Sequence, residues 1–194
     1  MLSRILQIKS FDFFLCPAEK TPQGKATPSG FIFEKLSTAD LTTCSLAQEK
    51  NRLLRFQERL EKGYVCYGYC DKTSGAVIGY FWVTAADQTP VTAPFTMGAD
   101  FLIQPGQAYI WDCRIEPAYQ NQGLYAAGLR TLIDQFGPHE KWINCEHKNK
   151  PSRRGIQNAG FTYQNNCVLL NIRGFKMKCT KTGCARLPGQ LPLR

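Results

Sequence analysis

Residues 109–126 join an apolar run, a polar turn and the start of an amphipathic pattern. The apolar run stops at Pro117, and Gly123 stands where a helix is predicted to begin. A turn of this kind directs free backbone N–H groups at one point, and the positive end of the helix dipole adds to them. The segment therefore predicts a phosphate or pyrophosphate site, although an ordinary strand–turn–helix unit has the same pattern.

The chain has nine cysteines, which can form disulfides or bind a metal, and two histidines, which can bind a metal. No two cysteines form a C-x-x-C pair, and the histidines lack zinc-ligand spacing. Cys66 and Cys70 fall in one predicted strand, roughly 13 Å apart, too far for a disulfide or a shared metal. We therefore expect no metal. Cys179 and Cys184 flank a turn, where they either pair under oxidation or remain loop thiols.

The net charge is +9, and the basic residues are clustered. Residues 173–194 hold six Lys or Arg and no acid, and a second cluster consists of Lys148, Lys150, Arg153 and Arg154. Such clusters suit a polyanion: a phosphorylated cofactor, nucleic acid or an anionic membrane surface. The alternative is a basic surface that serves solubility alone. Basic and aromatic residues do not alternate as they do in single-strand binders, which argues against nucleic acid.

The length of 194 residues suits one domain with a sizeable core. No apolar run approaches the roughly 18–20 residues that a membrane span requires. The apolar part of residues 1–20 is too short and too interrupted for a secretory leader. We therefore expect a cytoplasmic protein without a membrane span.

Apolar periodicity and turn residues predict a mixed α/β fold with a central sheet flanked by helices. One crossover is parallel, because the strand at 109–115 is followed by a helix and then by the strand at 141–146. Residues 17–30 are typical of a loop, and residues 86–107 of an irregular excursion. An unrelated nucleotide-binding α/β domain would need a longer alternation of strands and helices. The predicted strands are 31–36, 64–70, 76–85, 109–115, 141–146 and 167–173, and the predicted helices are 41–62, 124–136 and 151–159.

Two separated motifs resemble those of the GNAT superfamily of acyl-CoA N-acyltransferases. The first is Ile115-x-Pro117-x-Tyr119-Gln120-x-x-Gly123-Leu124-x-Ala126, which is similar to the family's acyl-CoA turn. The second is Asn149-x-x-Ser152-Arg153-x-x-x-Asn158-Ala159-Gly160-Phe161, which is similar to the family's later Asn…Gly-Phe segment. The motifs occur in the family's order, with a helix and a strand between them. The resemblance covers residues 29–174, which leaves 1–28 as an N-terminal extension and 175–194 as a basic C-terminal tail.

The resemblance implies acetyl-CoA as co-substrate and an amine as the acyl acceptor. Backbone N–H groups of residues 120–126 would hold the pyrophosphate, and residues 113–115 would bond the pantetheine arm as an added strand would. Asn149 would contact the same arm, and Lys150, Ser152 or Arg153 would reach the phosphates. The implied cofactor-binding residues are Cys113, Arg114, Ile115, Gln120, Asn121, Gln122, Gly123, Leu124, Tyr125, Ala126, Asn149, Ser152 and Arg153.

Three features depart from the family pattern. Tyr125 stands where Gly or Ala is usual, and the Gln-Asn-Gln turn lacks the common arginines. Seven residues after Asn149, where many members have a tyrosine that protonates the departing thiolate, this chain has Ile156. A thiol has a pKa near 8.5, so CoA thiolate leaves without help at a tolerable rate, whereas general acid catalysis contributes about 10²–10⁴-fold. Ile156 therefore indicates an altered site, with water or a residue such as Tyr125 as the acid, rather than an inactive one.

Three side chains are candidates for the base that deprotonates the acceptor: Asp112, Glu146 and His147. They lie on or just after the two predicted strands that border the cleft, and histidine titrates near neutral pH. Each has a structural alternative: a backbone bond at a bulge for Asp112, an ion pair with a neighbouring lysine for Glu146, and simple exposure for His147. Cys113 and Cys145 have no activating partner in the sequence and are expected to be buried thiols.

The acceptor itself is open. The combination of Tyr109, Asp112, residues 123–125 and residues 152–153 is similar to members that acetylate amino sugars for bacterial cell-surface glycans. A small amine or a protein N-terminus is an alternative, and so is a catalytically silent module that binds CoA, nucleic acid or an anionic surface. The predicted function is acetyl transfer from acetyl-CoA to an amine-bearing small molecule or glycan precursor. The oligomeric state is not predicted.

Overall fold

The structure, a computed structural model, describes residues 6–20, 28–48, 51–95, 100–172, 175–180, 183–186 and 190–192. None of the helices in these residues has the length and apolar character that crossing a bilayer requires. The helices are α1 (Thr38–Thr42), α2 (Arg52–Glu61), α3 (Leu124–Gln135) and α4 (Lys150–Asn158). The strands are β1 (Leu6–Cys16), β2 (Phe31–Lys35), β3 (Val65–Asp71), β4 (Val77–Ala86), β5 (Val91–Pro94), β6 (Asp100–Ile103), β7 (Gln107–Ile115), β8 (Glu140–Glu146), β9 (Thr162–Ile172), β10 (Phe175–Thr180), β11 (Gly183–Arg186) and β12 (Gln190–Pro192).

The central sheet contains nine of the described strands, in the order β11-β10-β9-β1-β8-β7-β4-β3-β2. Its neighbours are antiparallel except β7 and β8, which are parallel and joined by the crossover through α3. A smaller sheet contains β12, β6 and β5. The mixed α/β class, the central sheet and its parallel crossover are thus as predicted.

The central sheet separates two apolar cores. On one face, Leu41 of α1 and Phe56 of α2 are buried against the aromatic residues of β4 and β7. On the other face, Leu129 of α3 and Ile156 of α4 are buried. Gly128 allows α3 to approach closely, because a Cβ there would lie 2.8 Å from the Phe81 ring. The helices on both faces therefore hold β7 and β8, and with them the turn that follows β7.

The helix predicted over 41–62 is divided. α1 begins at a capping box, in which Ser37 Oγ accepts from the Asp40 N–H at 3.3 Å and the Asp40 carboxylate accepts from the Ser37 N–H at 2.7 Å. It ends where the Thr43 hydroxyl donates to the Asp40 carbonyl at 2.8 Å, a bond that competes with helix propagation. A 3₁₀ turn (Ser45–Ala47) and then α2 follow. The seven-residue spacing of the leucines runs across this break, which is why the pattern predicted one helix.

The sheet extends across both predicted domain boundaries. β1 lies between β8 and β9, and the segment after residue 174 continues the sheet through β10 and β11, where Cys179 faces Cys184 in the register. The excursion at 86–107 contains β5 and β6 rather than irregular backbone only. Of the loop predicted over 17–30, residues 21–27 lie outside the described part, as do the basic side chains of residues 173–194. β1 was missed because Asp12 interrupts its apolar run, and the partners of that carboxylate come from distant segments.

Candidate functional site

The parallel strands β7 and β8 separate along their length and open a cleft. Residues 107–110 pair with residues 140–143, whereas β7 continues to Ile115 and β8 to Glu146. The cleft between the unpaired ends has a volume of about 1120 Å³. These ends pair with β4 and β1 on their outer edges, whereas the edges that face each other carry free N–H and C=O groups, so an extended ligand can add there as a strand would.

A β-bulge in β7 causes this separation. Across β4 and β7, Trp82 faces Trp111 and Tyr80 faces Arg114, so one residue of β4 opposes two residues of β7. Asp112, one of these two, has a φ of 42°, in the left-handed region that non-glycine residues rarely adopt. An extra residue bends a strand and increases its twist. β7 therefore turns away from β8 directly after the last paired residue.

Two arginines hold the Asp112 carboxylate. Arg59 Nη1 from α2 donates to Asp112 Oδ2 at 2.6 Å, and Arg114 Nε lies 3.9 Å from Asp112 Oδ1. The Arg59 guanidinium also lies 4.6 Å from the ring centroid of Trp111 and 5.1 Å from that of Trp82, a cation–π arrangement. These contacts anchor the bulge to α2, and they give the carboxylate in this apolar run its partners.

The turn between β7 and α3 presents a row of N–H groups. Gln120 Nε2 donates to the Ile115 carbonyl at 2.9 Å, which ties the turn to the end of β7. Asn121, with a φ of 62°, and Gly123, with a φ of 80°, adopt left-handed backbone, and Gly123 precedes the first residue of α3. Within the described residues, the N–H groups of residues 121–126 have no hydrogen-bond acceptor. Successive free donors at a helix N-terminus bind anions.

The N-terminal part of α4 forms the other wall of the cleft. Asn149 caps the helix, because its Oδ1 accepts from the Ser152 N–H at 3.1 Å. Lys150 and Arg154 are exposed and line the cleft. Arg153 does not line it, since its Nε pairs with Asp12 Oδ2 at 3.0 Å behind the helix. Lys150 and Arg154 are therefore better placed than Arg153 to meet an anion in the cleft.

A polar cluster around the buried Asp12 lies outside the cleft. His147 Nδ1 is 3.0 Å from Asp12 Oδ1, Asn166 Nδ2 donates to the same oxygen at 2.9 Å, and Arg153 binds the other oxygen. The cluster joins β1, β9 and α4 to the residue that follows β8. It also explains the position of His147, a candidate base, which is directed to Asp12 and does not line the cleft.

Tyr125 lies in the cleft wall and packs against α4 at Gly155, the residue before Ile156. Ile156 is fully buried in the core beneath α4. Gly155 makes room for the tyrosine, because a Cβ there would lie 2.6 Å from Tyr125 Cδ1. On the opposite side, the Phe81 ring lies 5.8 Å from the Tyr125 ring between centroids. Burial, with a smaller effect of two neighbouring cysteines, raises the pKa of the Tyr125 hydroxyl well above its ordinary value.

On the sheet face covered by α1 and α2, the cleft has a polar floor. The Tyr109 hydroxyl donates to Asn144 Oδ1 at 2.6 Å, and burial raises the pKa of Tyr109 well above its ordinary value. Glu146 follows on the same face of β8, because side chains alternate along a strand. Its side chain is 60% exposed, with Lys9 Nζ at 4.0 Å. The aromatic residues that line this part of the cleft are Phe11, Phe95 and Trp111.

Most of the predicted site residues line this one cleft. Gln122, His147 and Arg153 do not. The lining residues that sequence analysis did not single out include Lys9 from β1, Arg59 from α2 and Asn144 from β8. For Asn144 alone there was a signal, its place two residues before Glu146. The predicted residues that line the cleft are Asp112, Cys113, Arg114, Ile115, Gln120, Asn121, Gly123, Leu124, Tyr125, Ala126, Glu146, Asn149 and Ser152.

The two cysteines of the cleft wall are protonated thiols at neutral pH. Burial raises the pKa of Cys113 well above its ordinary value and that of Cys145 to about 12. Both thiols are therefore poor nucleophiles, since the thiolate is the reactive form. Among the described residues, no three His, Cys, Asp or Glu side chains come together as a metal site would require.

Comparison with known families agrees with this geometry. The sequence matches the Acetyltransferase (GNAT) family over residues 33–161, which is more than half of the chain. The chain therefore belongs to the GNAT acetyltransferase family. No curated protein is significantly similar to it in sequence.

Solved structures share the fold at low sequence identity. A Drosophila protein has a TM-score of 0.60 and 12% identity, and the match covers 89% of this chain and 55% of that one. A putative GNAT acetyltransferase from Novosphingobium aromaticivorans has a TM-score of 0.54 and 15% identity, over 86% of this chain and 66% of that one. A GNAT-family acetyltransferase from Colwellia psychrerythraea has a TM-score of 0.56 and 15% identity, over 85% and 55%. The chain thus spans between about half and two thirds of the length of these proteins.

Proposed function

We propose that the protein transfers an acetyl group from acetyl-CoA to an amine. The observation that carries the proposal is the cleft in which the unpaired ends of β7 and β8 meet the free N–H groups of residues 121–126. The residues present suit this co-substrate, because a polyanion with an extended amide-containing arm needs an anion-binding turn, nearby cations and free strand backbone. Acetyl-CoA, when bound, supplies the acyl group as an activated thioester.

Each wall of the cleft has a separate task in this proposal. The N–H groups of residues 121–126 hold the pyrophosphate. Lys150 and Arg154 attract the remaining negative charge from the α4 side. The backbone of Cys113, in the bulge, and of Ile115, after it, donates hydrogen bonds to the arm and accepts hydrogen bonds from it, and the arm extends along the cleft towards the opposite face of the sheet.

Glu146 is the proposed base. Asp112 is already engaged by Arg59 at 2.6 Å, and His147 is directed to Asp12 outside the cleft. Glu146 is exposed in the cleft, and its Lys9 partner is at the long distance of 4.0 Å. A carboxylate in this position can take the proton of an attacking amine directly or through one water molecule.

The amine acceptor enters from the face covered by α1 and α2. Aromatic rings above a floor of Asn144, Tyr109 and Glu146 suit a ring-shaped polar amine, which supports the finer prediction of an amino sugar. A small apolar amine would contact the rings but would make no further hydrogen bonds with this polar floor. Acetylation of a panel of amino sugars, small amines and peptide N-termini, followed by mass spectrometry, separates these acceptors.

Calorimetric titration with acetyl-CoA tests the proposed site, with Gly123→Asp as the disrupting variant. The new carboxylate would stand where the pyrophosphate is held, and we expect affinity to fall at least 100-fold because like charges repel at a helix N-terminus. Gly63→Asp is the matched control. Gly63 has a φ of 83° against 80° for Gly123, neither has an atom within 4 Å of an added Cβ, and Gly63 lies outside the cleft.

Micromolar binding by the parent protein and by Gly63→Asp, but not by Gly123→Asp, would support the proposal if circular dichroism is the same for all three. Equal affinity of the two variants would place the cofactor elsewhere. No binding by the parent protein would favour the silent module, and the basic clusters would then be tested for salt-dependent binding of polyanions.

A further inference from the structure

In the proposed reaction, the departing sulfur of CoA needs a proton donor. When the carbon–sulfur bond of a thioester breaks, its electron pair remains on the sulfur, and a thiolate in a partly apolar cleft is poorly solvated. Resting on the proposed function, we propose that Tyr125 donates its phenolic proton to the departing sulfur. The role of proton donor thus falls to a residue of α3, while Ile156 of α4 is a core residue.

The position of Tyr125 supports this role. Its ring is confined between Gly155 on α4 and Phe81 on β4, so the hydroxyl has little freedom to leave the cleft wall. Its side chain packs in the same cluster as Cys113 of β7 and Cys145 of β8, which both lie beyond the last paired residues of the two strands. The phenol is therefore at the fork of the cleft, where an arm added to β7 would end.

The other hydroxyls of the cleft are less suited. Among the cleft-lining residues that the structure describes, hydroxyl groups belong to Tyr109, Tyr119, Tyr125 and Ser152. Tyr109 lies on the opposite face and already donates to Asn144. Tyr119 lies in the turn and packs against the Phe31 ring, 5.8 Å away between centroids. Ser152 is a neighbour of the Tyr125 hydroxyl, and its side chain counteracts the effect of burial on the pKa of the tyrosine.

The proton balance needs no further reactant. The acceptor nitrogen forms the new bond to the acyl carbon and loses one proton to Glu146 or to water. The sulfur keeps the electron pair of the broken bond and takes one proton from Tyr125. The phenolate regains a proton from solvent, with Ser152 as the nearest relay. Burial raises the pKa of Tyr125, so the phenol is fully protonated at neutral pH, as a donor must be.

The thiol of bound CoA tests the proposal without an acceptor. A phenol that donates to the thiolate stabilises it, so Tyr125→Phe should raise the pKa of the bound CoA thiol by about one unit, which is tenfold in its ionisation constant. The thiolate absorbance of the CoA complex is titrated against that of the free protein. Cys113 and Cys145 do not interfere, because burial raises both of their pKa values. Tyr67→Phe, which makes the same change outside the cleft, is the control.

The possible results separate this inference from the proposed function. A raised thiol pKa in Tyr125→Phe but not in Tyr67→Phe, with CoA affinity within about threefold of the parent, supports the proton donor. An unchanged thiol pKa with unchanged affinity overturns it and leaves the cofactor site in place. Loss of CoA binding in Tyr125→Phe, with an unaltered melting temperature, would show that the hydroxyl serves binding instead. If the parent protein does not bind CoA, the proposed function fails and this inference fails with it.

Discussion

At the scale of single residues, burial distinguishes two histidine–aspartate pairs of equal length. His147 lies 3.0 Å from Asp12, whose side chain is 1% exposed, and His139 lies 3.0 Å from Asp87, whose side chain is 84% exposed. Asp12 also binds Arg153 and Asn166. Water solvates an exposed carboxylate whether or not it is paired, whereas a buried carboxylate has only its protein partners.

Asp12→Ala should therefore lower the free energy of unfolding by about 2–4 kcal/mol, because it removes one member of a buried network and leaves an arginine without its partner. Asp87→Ala is the control, with an expected change of about 0.5 kcal/mol or less. Urea unfolding of the two variants at neutral pH gives both values. Similar losses in the two variants would contradict the argument from burial.

Asp12 is a residue whose role could not be predicted from its neighbours in the sequence. Local patterns indicated the turn at 120–126 because all of its determinants lie within a few residues of one another. The reason for a carboxylate in the apolar run of β1 lies in His147 and Asn166, which are 135 and 154 residues away in sequence. The same holds for Asp112, whose partner Arg59 comes from α2. Sequence analysis gave a backbone bond at a bulge as the structural alternative for Asp112, whereas the partner in the structure is the Arg59 side chain.

At the scale of elements, strands and helices with a strong local pattern were predicted well. The hairpin of β3 and β4, the unit of β7 and α3, and α4 all have turn residues or caps at their ends. The bulge in β7 was considered only as one alternative for Asp112, because it is defined by the register against β4 rather than by any residue of β7 alone. Because this bulge opens the cleft, the sequence predicted the turn after β7 and the helix α4 better than the part of β7 that lies between them.

The contact between α3 and α4 at Gly155 is a second element-scale feature. Alanine favours a helix over glycine by about 1 kcal/mol, so Gly155→Ala would stabilise an isolated α4. In the protein, the added Cβ would lie 2.6 Å from Tyr125 Cδ1, and overpacking costs about 1–3 kcal/mol. We expect a net loss of up to about 2 kcal/mol in urea unfolding. Gln157→Ala, at an exposed position of the same helix, should change stability by less than about 0.5 kcal/mol. A stabilised Gly155→Ala would show that Tyr125 moves without cost.

At the scale of the whole molecule, the class of fold was predicted and the full extent of the sheet was not. Strand order along the chain indicated the parallel crossover, since βαβ units have few alternatives. The insertion of β1 between β8 and β9 pairs residues more than 100 positions apart, and no local pattern encodes such a pairing. The small sheet of β5, β6 and β12 likewise joins an internal excursion to a strand near the end of the sequence.

Buried thiols make the stability of the whole molecule depend on pH in the alkaline range. Burial, and then the neighbouring Glu34, raises the pKa of Cys70 from 9.0 to about 12, and burial raises that of Cys145 to the same value. In the unfolded chain both thiols ionise near their ordinary pKa. Between about pH 9 and pH 12 the unfolded state therefore binds fewer protons than the folded state, and stability falls as pH rises. Below pH 9 the two states bind these protons equally, so this contribution is constant.

Each such thiol should contribute a slope of about −1.4 kcal/mol per pH unit to the free energy of unfolding across this range. Cys70→Ala removes one thiol, so its stability should fall less steeply than that of the parent by about that amount, although it is less stable at neutral pH. Val77→Ala is the matched control, because Val77 is buried, faces Cys70 in the β3–β4 register and has no titratable group. Urea unfolding in reductant at several pH values measures the three slopes. Parallel curves for Cys70→Ala and Val77→Ala would mean that the Cys70 thiol ionises in the folded protein as it does in the unfolded chain, because β3 opens at this position to let solvent reach it.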